Sequence, residues 1–158
     1  EKIQTCLSHG ADEAFVYPSG NLDRDQQKEL SSKIKELTGG IGVNVVYDPV
    51  GGSFSEPALR AIAWEGRFLV IGFAAGDIPK PPLNLALLKG CQIIGVFWGA
   101  WTAMFPDENE KNFEELFALY AAGKINPEIA DRFPLKDAGQ AIAHLKDRKA
   151  KGKVIIDV

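Results

Sequence analysis

Three short turns hold the residues of this chain that could do chemistry: DPVGG at 48–52, GFAAG at 72–76 and FWGA at 97–100. Each closes a short apolar run. Glycine in such a turn lets the backbone come close to a ligand and offer N–H groups without interference from a side chain. Phe73, Phe97 and Trp98 add flat apolar surface suited to lie beside an aromatic ring. Turns of this kind at the carboxyl ends of parallel strands are where open α/β sheets hold a nucleotide or a flat cofactor. The plainer reading is open too: three ordinary turns, with Phe73 and Trp98 packed as core.

The other reactive residues carry less. Asp48 is expected to accept hydrogen bonds from the amides of its own turn, as Asp often does, rather than to act as a catalytic acid. His9 falls at a helix end, and His144 is expected on the exposed side of the last helix, neither with a metal-ligand partner near it in sequence. Cys6 and Cys91 have no paired spacing and no His cluster, so they read as two reduced thiols, neither a disulfide framework nor a metal site. No Ser-His-Asp or Cys-His arrangement stands out, and no catalytic residue is assigned.

The elements that must position these turns alternate along the chain. A helical pattern (Ile3, Cys6, Leu7) ends at Gly10, and residues 13–17 (EAFVY) read as a strand closed by Pro18. Residues 25–38 carry Leu30, Ile34 and Leu37 on one helical face and stop at Gly39-Gly40. Val43, Val45 and Val46 form a β-branched run suited to a strand covered on both faces by helices. Ser53 and Glu56 have capping-box spacing, which predicts a helix over about 54–64 with Leu59 and Ile62 facing the sheet. Strands follow at 66–71 and 91–97, with 83–89 either a short helix or an extended connector. Phe113, Leu116, Phe117 and Tyr120 fall at i, i+3, i+4 and i+7 within a helix over 107–122. Pro127 and Pro134 bracket an edge strand, and a last helix (Ala138, Ala141, Ile142, Leu145) leads through Gly152 into a strand over 153–158. Such alternation means an α/β fold with a mainly parallel sheet.

Composition bounds the rest. At 158 residues and 46% apolar content the chain can bury one core, so a single domain is expected. No apolar run is long enough to span a bilayer. A net charge of -3 and a pI near 5.4 argue against nucleic acid as the main partner.

The segments LTGGIGVNVVYDPVGG, ALRAIAWEGRFLVIGFAAGDIP, PLNLALLKGCQIIGVFWGA and DRKAKGKVIIDV together resemble the C-terminal half of the quinone oxidoreductase group of medium-chain dehydrogenases/reductases, over nearly the whole chain. The resemblance implies an incomplete doubly wound, Rossmann-like domain binding NADPH, zinc-independent hydride transfer to quinones or related electron-poor enones, and a cytoplasmic setting with a mitochondrial one left open. It implies that Pro49, Val50 and Gly51, then Gly72, Phe73 and Ala74, then Phe97, Trp98 and Gly99 contact the nicotinamide half of the cofactor. A loop at Gly152 and Lys153 would close over it, and Lys2 and Tyr17 would hold the adenosine 2'-phosphate. A point-charge ammonium and a donating phenol suit a phosphate. Homodimers pairing the edge strand at 91–97 are implied as well. A non-catalytic relative that keeps the fold, with or without NADPH, is the other reading.

The family's glycine-rich phosphate loop would lie before Glu1, and the chain contains no G-x-G-x-x-G; the catalytic domain is likewise outside the sequence. A sheet lacking its first two strands leaves the strand at 13–17 separated from the rest and an unpaired edge at GVNVVYD. By itself such a polypeptide is expected to be weakly stable and inactive.

Overall fold

The computed structural model describes residues 1–158. They form two compact units, one from Phe15–Trp101 and one from Glu1–Ala14 with Thr102–Val158.

The first unit is built on three parallel strands in the order β1 (Val43–Asp48), β2 (Ile62–Val70) and β3 (Gln92–Gly95). Their register sets Asp48 opposite Val70 and Val70 opposite Gly95, so the three carboxyl ends finish at one level. That level is what aligns the three turns. The core lies where Leu59, Ile62, Phe68 and Leu85 meet, with Val46, Val70 and Cys91 packed against them. Leu59, on the helix over Ser55–Arg60, is almost wholly buried as the sequence pattern requires; Ile62 is buried too, but as the first residue of β2 and not on the helix expected there.

Numbering helices in chain order, α1 (Lys2–Ser8) belongs to the second unit, and α2 (Arg24–Leu37) enters β1 in the first. α2 starts with a capping box: the Asp23 carboxylate accepts from the Gln26 N–H and the Gln26 side chain accepts from the Asp23 N–H. It ends at Thr38, whose hydroxyl donates to the Ile34 carbonyl and accepts from the Gly42 N–H at 3.0 Å. Gly42 must be glycine: its φ is +92°, and a Cβ there would overlap the Ala61 carbonyl oxygen.

Several sequence expectations change. Residues 13–17 form no strand, because a strand exists through its pairing and this segment makes no backbone hydrogen bond. β1 is a sheet edge, as the expected gap requires; contrary to expectation it is also not covered on both faces, since Val45 and Tyr47 are exposed. Ser53 does not cap a helix, since its hydroxyl accepts from the Leu22 N–H at 2.8 Å. A 3-10 turn over Gly52–Phe54 precedes α3 (Ser55–Arg60), which stops four residues early as the chain turns into β2. α4 (Asn84–Lys89) resolves the open choice at 83–89 as a helix, ended by Gly90 beneath the Trp64 ring. The third turn is largely helical, because α5 (Trp98–Met104) begins inside FWGA.

In the second unit α6 (Pro106–Ala121) confirms the clearest helical pattern, yet Leu116, Phe117 and Tyr120 stay exposed. β4 (Ile129–Pro134) pairs in parallel with β5 (Lys153–Asp157), and α7 (Ala138–Lys146) packs on both with Ala141 buried. This pair is a separate sheet from β1–β3. No helix is long and apolar enough to cross a membrane.

Candidate functional site

The rim of the first unit is held together by backbone hydrogen bonds between its turns. The Asp48 carbonyl accepts from the Ile71 and Gly72 N–H groups at 3.0 and 3.3 Å, the Pro49 carbonyl from Ala74 at 3.1 Å, and the Val50 carbonyl from Ala75 at 2.8 Å. Gly52 donates to the Asp77 carbonyl at 3.0 Å. The third strand joins through the Val96 N–H, 2.9 Å from the Val70 carbonyl. Pro49, Val50 and Gly51 therefore lie directly against Gly72, Phe73 and Ala74, and the chain runs into Phe97, Trp98 and Gly99 beside them.

These bonds alter one expectation. Gly51, Gly52 and Gly72 donate their N–H groups inside the protein, to the Asp48 carboxylate, the Asp77 carbonyl and the Asp48 carbonyl. The glycines serve close packing of turn on turn. A Cβ at Gly51 would stand 2.8 Å from the Phe73 ring, and one at Gly52 would stand 3.0 Å from the Ala75 methyl. Gly72 differs: its extra carbon would meet only the Pro49 carbonyl oxygen, at 3.5 Å, so this part of the rim is open. Phe97 is 80% exposed, Trp98 57% and Phe73 40%, so the aromatic surface is presented outward and not packed as core.

Asp48 is the node of the rim, in the turn-bonding role its sequence context suggests. It is buried; one carboxylate oxygen accepts from the Val50 and Gly51 N–H groups, both at 2.9 Å, and the other from the Ser55 hydroxyl at 2.5 Å. Ser55 is itself buried, in the first turn of α3. Sequence reasoning missed Ser55, and no spacing rule marks it, because the contact depends on how the 3-10 turn folds back.

Tyr17 belongs to the first unit, half-exposed and edge-on to Phe54 with ring centroids 5.2 Å apart. It also lines an open cleft of about 910 Å³ between the extended segment 15–18 and α2, with Leu30, Lys33 and Glu36 on the helix side. Lys2 belongs to the second unit, where its ammonium donates to the Arg148 carbonyl at 2.7 Å. The neighbouring Glu1 pairs with Lys151 at 2.6 Å. The hydrogen bond from Lys151 holds the Glu1 carboxyl below its ordinary value, and the same bond raises Lys151. Gly152 and Lys153 open β5: a side chain at Gly152 would overlap the Glu128 carbonyl, which also accepts from the Lys153 N–H at 2.7 Å.

His144 departs from expectation. It faces β4, where its Nε2 lies 2.9 Å from Asp131 and its ring lies 5.8 Å from that of Phe133. The i-to-partner distance of thirteen residues across a helix-strand contact leaves no local signal. Cys6 is exposed and Cys91 packs on the core. No three His, Cys, Asp or Glu side chains stand together as a metal ligand set.

Comparison with known proteins agrees with this geometry. A family model described as zinc-binding dehydrogenase matches residues 9–156. Quinone oxidoreductase-like protein 2 of Bos taurus is 36% identical over 158 residues, all of this chain and 43% of the relative. Quinone oxidoreductase 1 of Escherichia coli is 29% identical, over 99% of this chain and 46% of its own length. The solved structure of Escherichia coli quinone oxidoreductase complexed with NADPH matches with a TM-score of 0.81 at 28% identity, covering 98% of this chain and 46% of that one. A mycobacterial protein solved with NADPH gives the same TM-score at 26% identity, with the same shares covered. The chain thus spans less than half the length of these relatives. Its parallel β1–β2–β3 sheet is Rossmann-like, and the chain belongs to the zinc-binding dehydrogenase family, among the quinone oxidoreductase-like medium-chain dehydrogenases/reductases.

Proposed function

We propose that residues 1–158 are the NADPH-holding part of a reductase of quinones or related electron-poor enones that works without zinc. The observation that carries this is the rim: two interlocked turns at level strand ends, with Phe73 and Phe97 turned outward beside an open Gly72. Exposed aromatic faces are costly unless a ligand covers them, and a nicotinamide ring is flat and apolar enough to do so. The relatives solved with NADPH support the choice of cofactor. NADPH, when bound, supplies a hydride that with one solvent proton reduces a quinone to its hydroquinone and leaves NADP+. The residues of the chain orient and shield: the rim backbone fixes the ring plane, and Phe73 and Phe97 exclude water beside it.

At the other end Lys2 and Tyr17 are the proposed 2'-phosphate ligands, with Gly152 and Lys153 proposed to close over the cofactor. The Lys2 ammonium spends one of its three N–H groups on Arg148, which leaves two for a phosphate oxygen. β3 is a sheet edge with Ile93 exposed, and we assign it the pairing surface of a homodimer.

The internal use of the Gly51, Gly52 and Gly72 amides favours a second reading, a non-catalytic member in which the rim is scaffold. Calorimetric titration of NADPH against NADH, on the wild type and on Lys2→Ala and Tyr17→Ala, separates the two. Selective NADPH binding, weakened about tenfold by either change while NADH is unaffected, supports the cofactor role, and turnover of a quinone by the NADPH-bound full-length protein then supports the reductase. Binding of neither nucleotide by the wild type overturns it in favour of the scaffold.

A further inference from the structure

We propose that Ser55 is a positioning residue for the nicotinamide end of the rim, acting through Asp48. The proposal rests on the NADPH reading above and deepens it. Asp48 is the only residue that bonds both interlocked turns with side chain and backbone together. Its carboxylate gathers the Val50 and Gly51 N–H groups, and its carbonyl accepts from Ile71 and Gly72. Where Asp48 sits and how its side chain is rotated therefore bear directly on the height of one turn relative to the other, alongside the Pro49–Ala74, Val50–Ala75 and Gly52–Asp77 bonds.

Two features fix that rotation. The backbone amides of the turn hold one carboxylate oxygen, and the Ser55 hydroxyl holds the other at 2.5 Å. Ser55 is 2% exposed and Asp48 9%, so water has little access to replace the hydroxyl. A buried carboxylate oxygen stripped of its donor seeks another, and the nearest donors are the same turn amides. Removal of the hydroxyl thus lets the carboxylate swing, and the Val50-Gly51 peptide moves with it. Gly51 lies against the Phe73 ring, so the aromatic wall shifts as well. The proposed adenosine-end ligand Tyr17 shares no hydrogen bond with this network; it touches the ring of Phe54, the residue before Ser55.

The asymmetry gives the test. On the full protein, NADPH affinity, 2',5'-ADP affinity and quinone reduction with 1,4-benzoquinone are measured for wild type, Ser55→Ala, Ser55→Thr and Thr38→Val. 2',5'-ADP carries the adenosine-end phosphate and no nicotinamide. Thr38 carries a hydrogen-bonded hydroxyl remote from the rim, with more bonds than Ser55 makes, and its variant reports general loosening. Ser55→Ala is expected to weaken NADPH about tenfold and lower kcat by a similar factor, with 2',5'-ADP unchanged; Ser55→Thr restores both. Thr38→Val lowers the melting temperature and leaves the ratio of the two affinities at its wild-type value. Equal loss of NADPH and 2',5'-ADP in Ser55→Ala, or NADPH binding and turnover at wild-type level, overturns the positioning role. Failure of the wild type to bind NADPH at all overturns the cofactor reading instead, so the two failures are told apart. Should Ser55→Ala not fold, Asp48→Asn serves in its place: the amide oxygen still accepts the turn N–H groups while its NH2 meets Ser55. It is expected to weaken NADPH less than tenfold with 2',5'-ADP unchanged, and equal weakening of both refutes the proposal.

Discussion

Replacing Gly51 by alanine should cost this protein far more than the same change at Gly72, although both glycines belong to the rim. Gly51 has φ +72° and ψ -153°, a region essentially closed to residues with a Cβ, and holding alanine there costs about 1–3 kcal/mol. The added carbon would also lie 2.8 Å from Phe73 Cδ1 and 3.2 Å from Phe73 Cα. The ring can swing aside but the backbone cannot, and such overpacking adds about 1 kcal/mol. The sum is about 2–4 kcal/mol, which for a chain of this size lowers the melting temperature by roughly 4–16 °C. At Gly72 the new methyl meets only the Pro49 carbonyl oxygen, at 3.5 Å, and stability should stay within about 0.5 kcal/mol of wild type. Thermal and urea unfolding followed by circular dichroism measure both. Equal midpoints for the two variants, or an unchanged Gly51→Ala, would refute the account of the rim as turns packed through glycine. With stability preserved, any loss of NADPH binding in Gly72→Ala reads directly as a blocked approach.

Two more outcomes can be checked. The Glu1 carboxyl is lowered and Lys151 raised by their mutual hydrogen bond, so the pair is intact between their ordinary values of 4.5 and 10.5. It is lost as pH falls through the lowered Glu1 value or rises through the raised Lys151 value. A titration of the Lys151 side-chain NMR signal should show both steps, and Glu1→Gln should abolish the acidic one; a single alkaline step in the wild type would contradict the pairing. For the β3 edge, sedimentation should show a dimer at micromolar concentration that Ile93→Lys converts to monomer, whereas a wild-type monomer at high concentration would exclude this interface.

What could be read from the sequence was whatever local spacing decides. β1, β2 and β3 announce themselves as β-branched or apolar runs closed by glycine turns, and α6 as a four-residue aromatic and aliphatic stripe. The rim residues follow from strand ends, so two of the three turns came together as their positions suggested. Several misses turn on partners that local spacing cannot show, whether absent or distant in the chain. Residues 13–17 have strand composition but no neighbour to pair with. Ser53 has the spacing of a cap but spends its hydroxyl on Leu22, thirty-one residues away. His144 looks exposed until β4 brings Asp131 beneath it. The capping box at Asp23 and Gln26 is a different case, since its D-x-x-Q spacing was visible and only the helix start was set one residue late.

The tie between Lys2 and Arg148 spans 146 residues, and it has a bearing on the order in which the chain takes shape during synthesis. The unit at 15–101 is one continuous stretch, and all its strands have left the ribosome before the other unit has β4, α7 or β5. α1 precedes both units' strands in the chain, yet its hydrogen bond to Arg148 and the adjoining Glu1–Lys151 pair can form only once residues 148–151 have emerged. A seven-residue helix is too short to persist unaided in water. The proposed phosphate ligand Lys2 thus reaches its final surroundings last, and a nascent chain halted before Arg148 would carry a finished rim and an unfinished adenosine end.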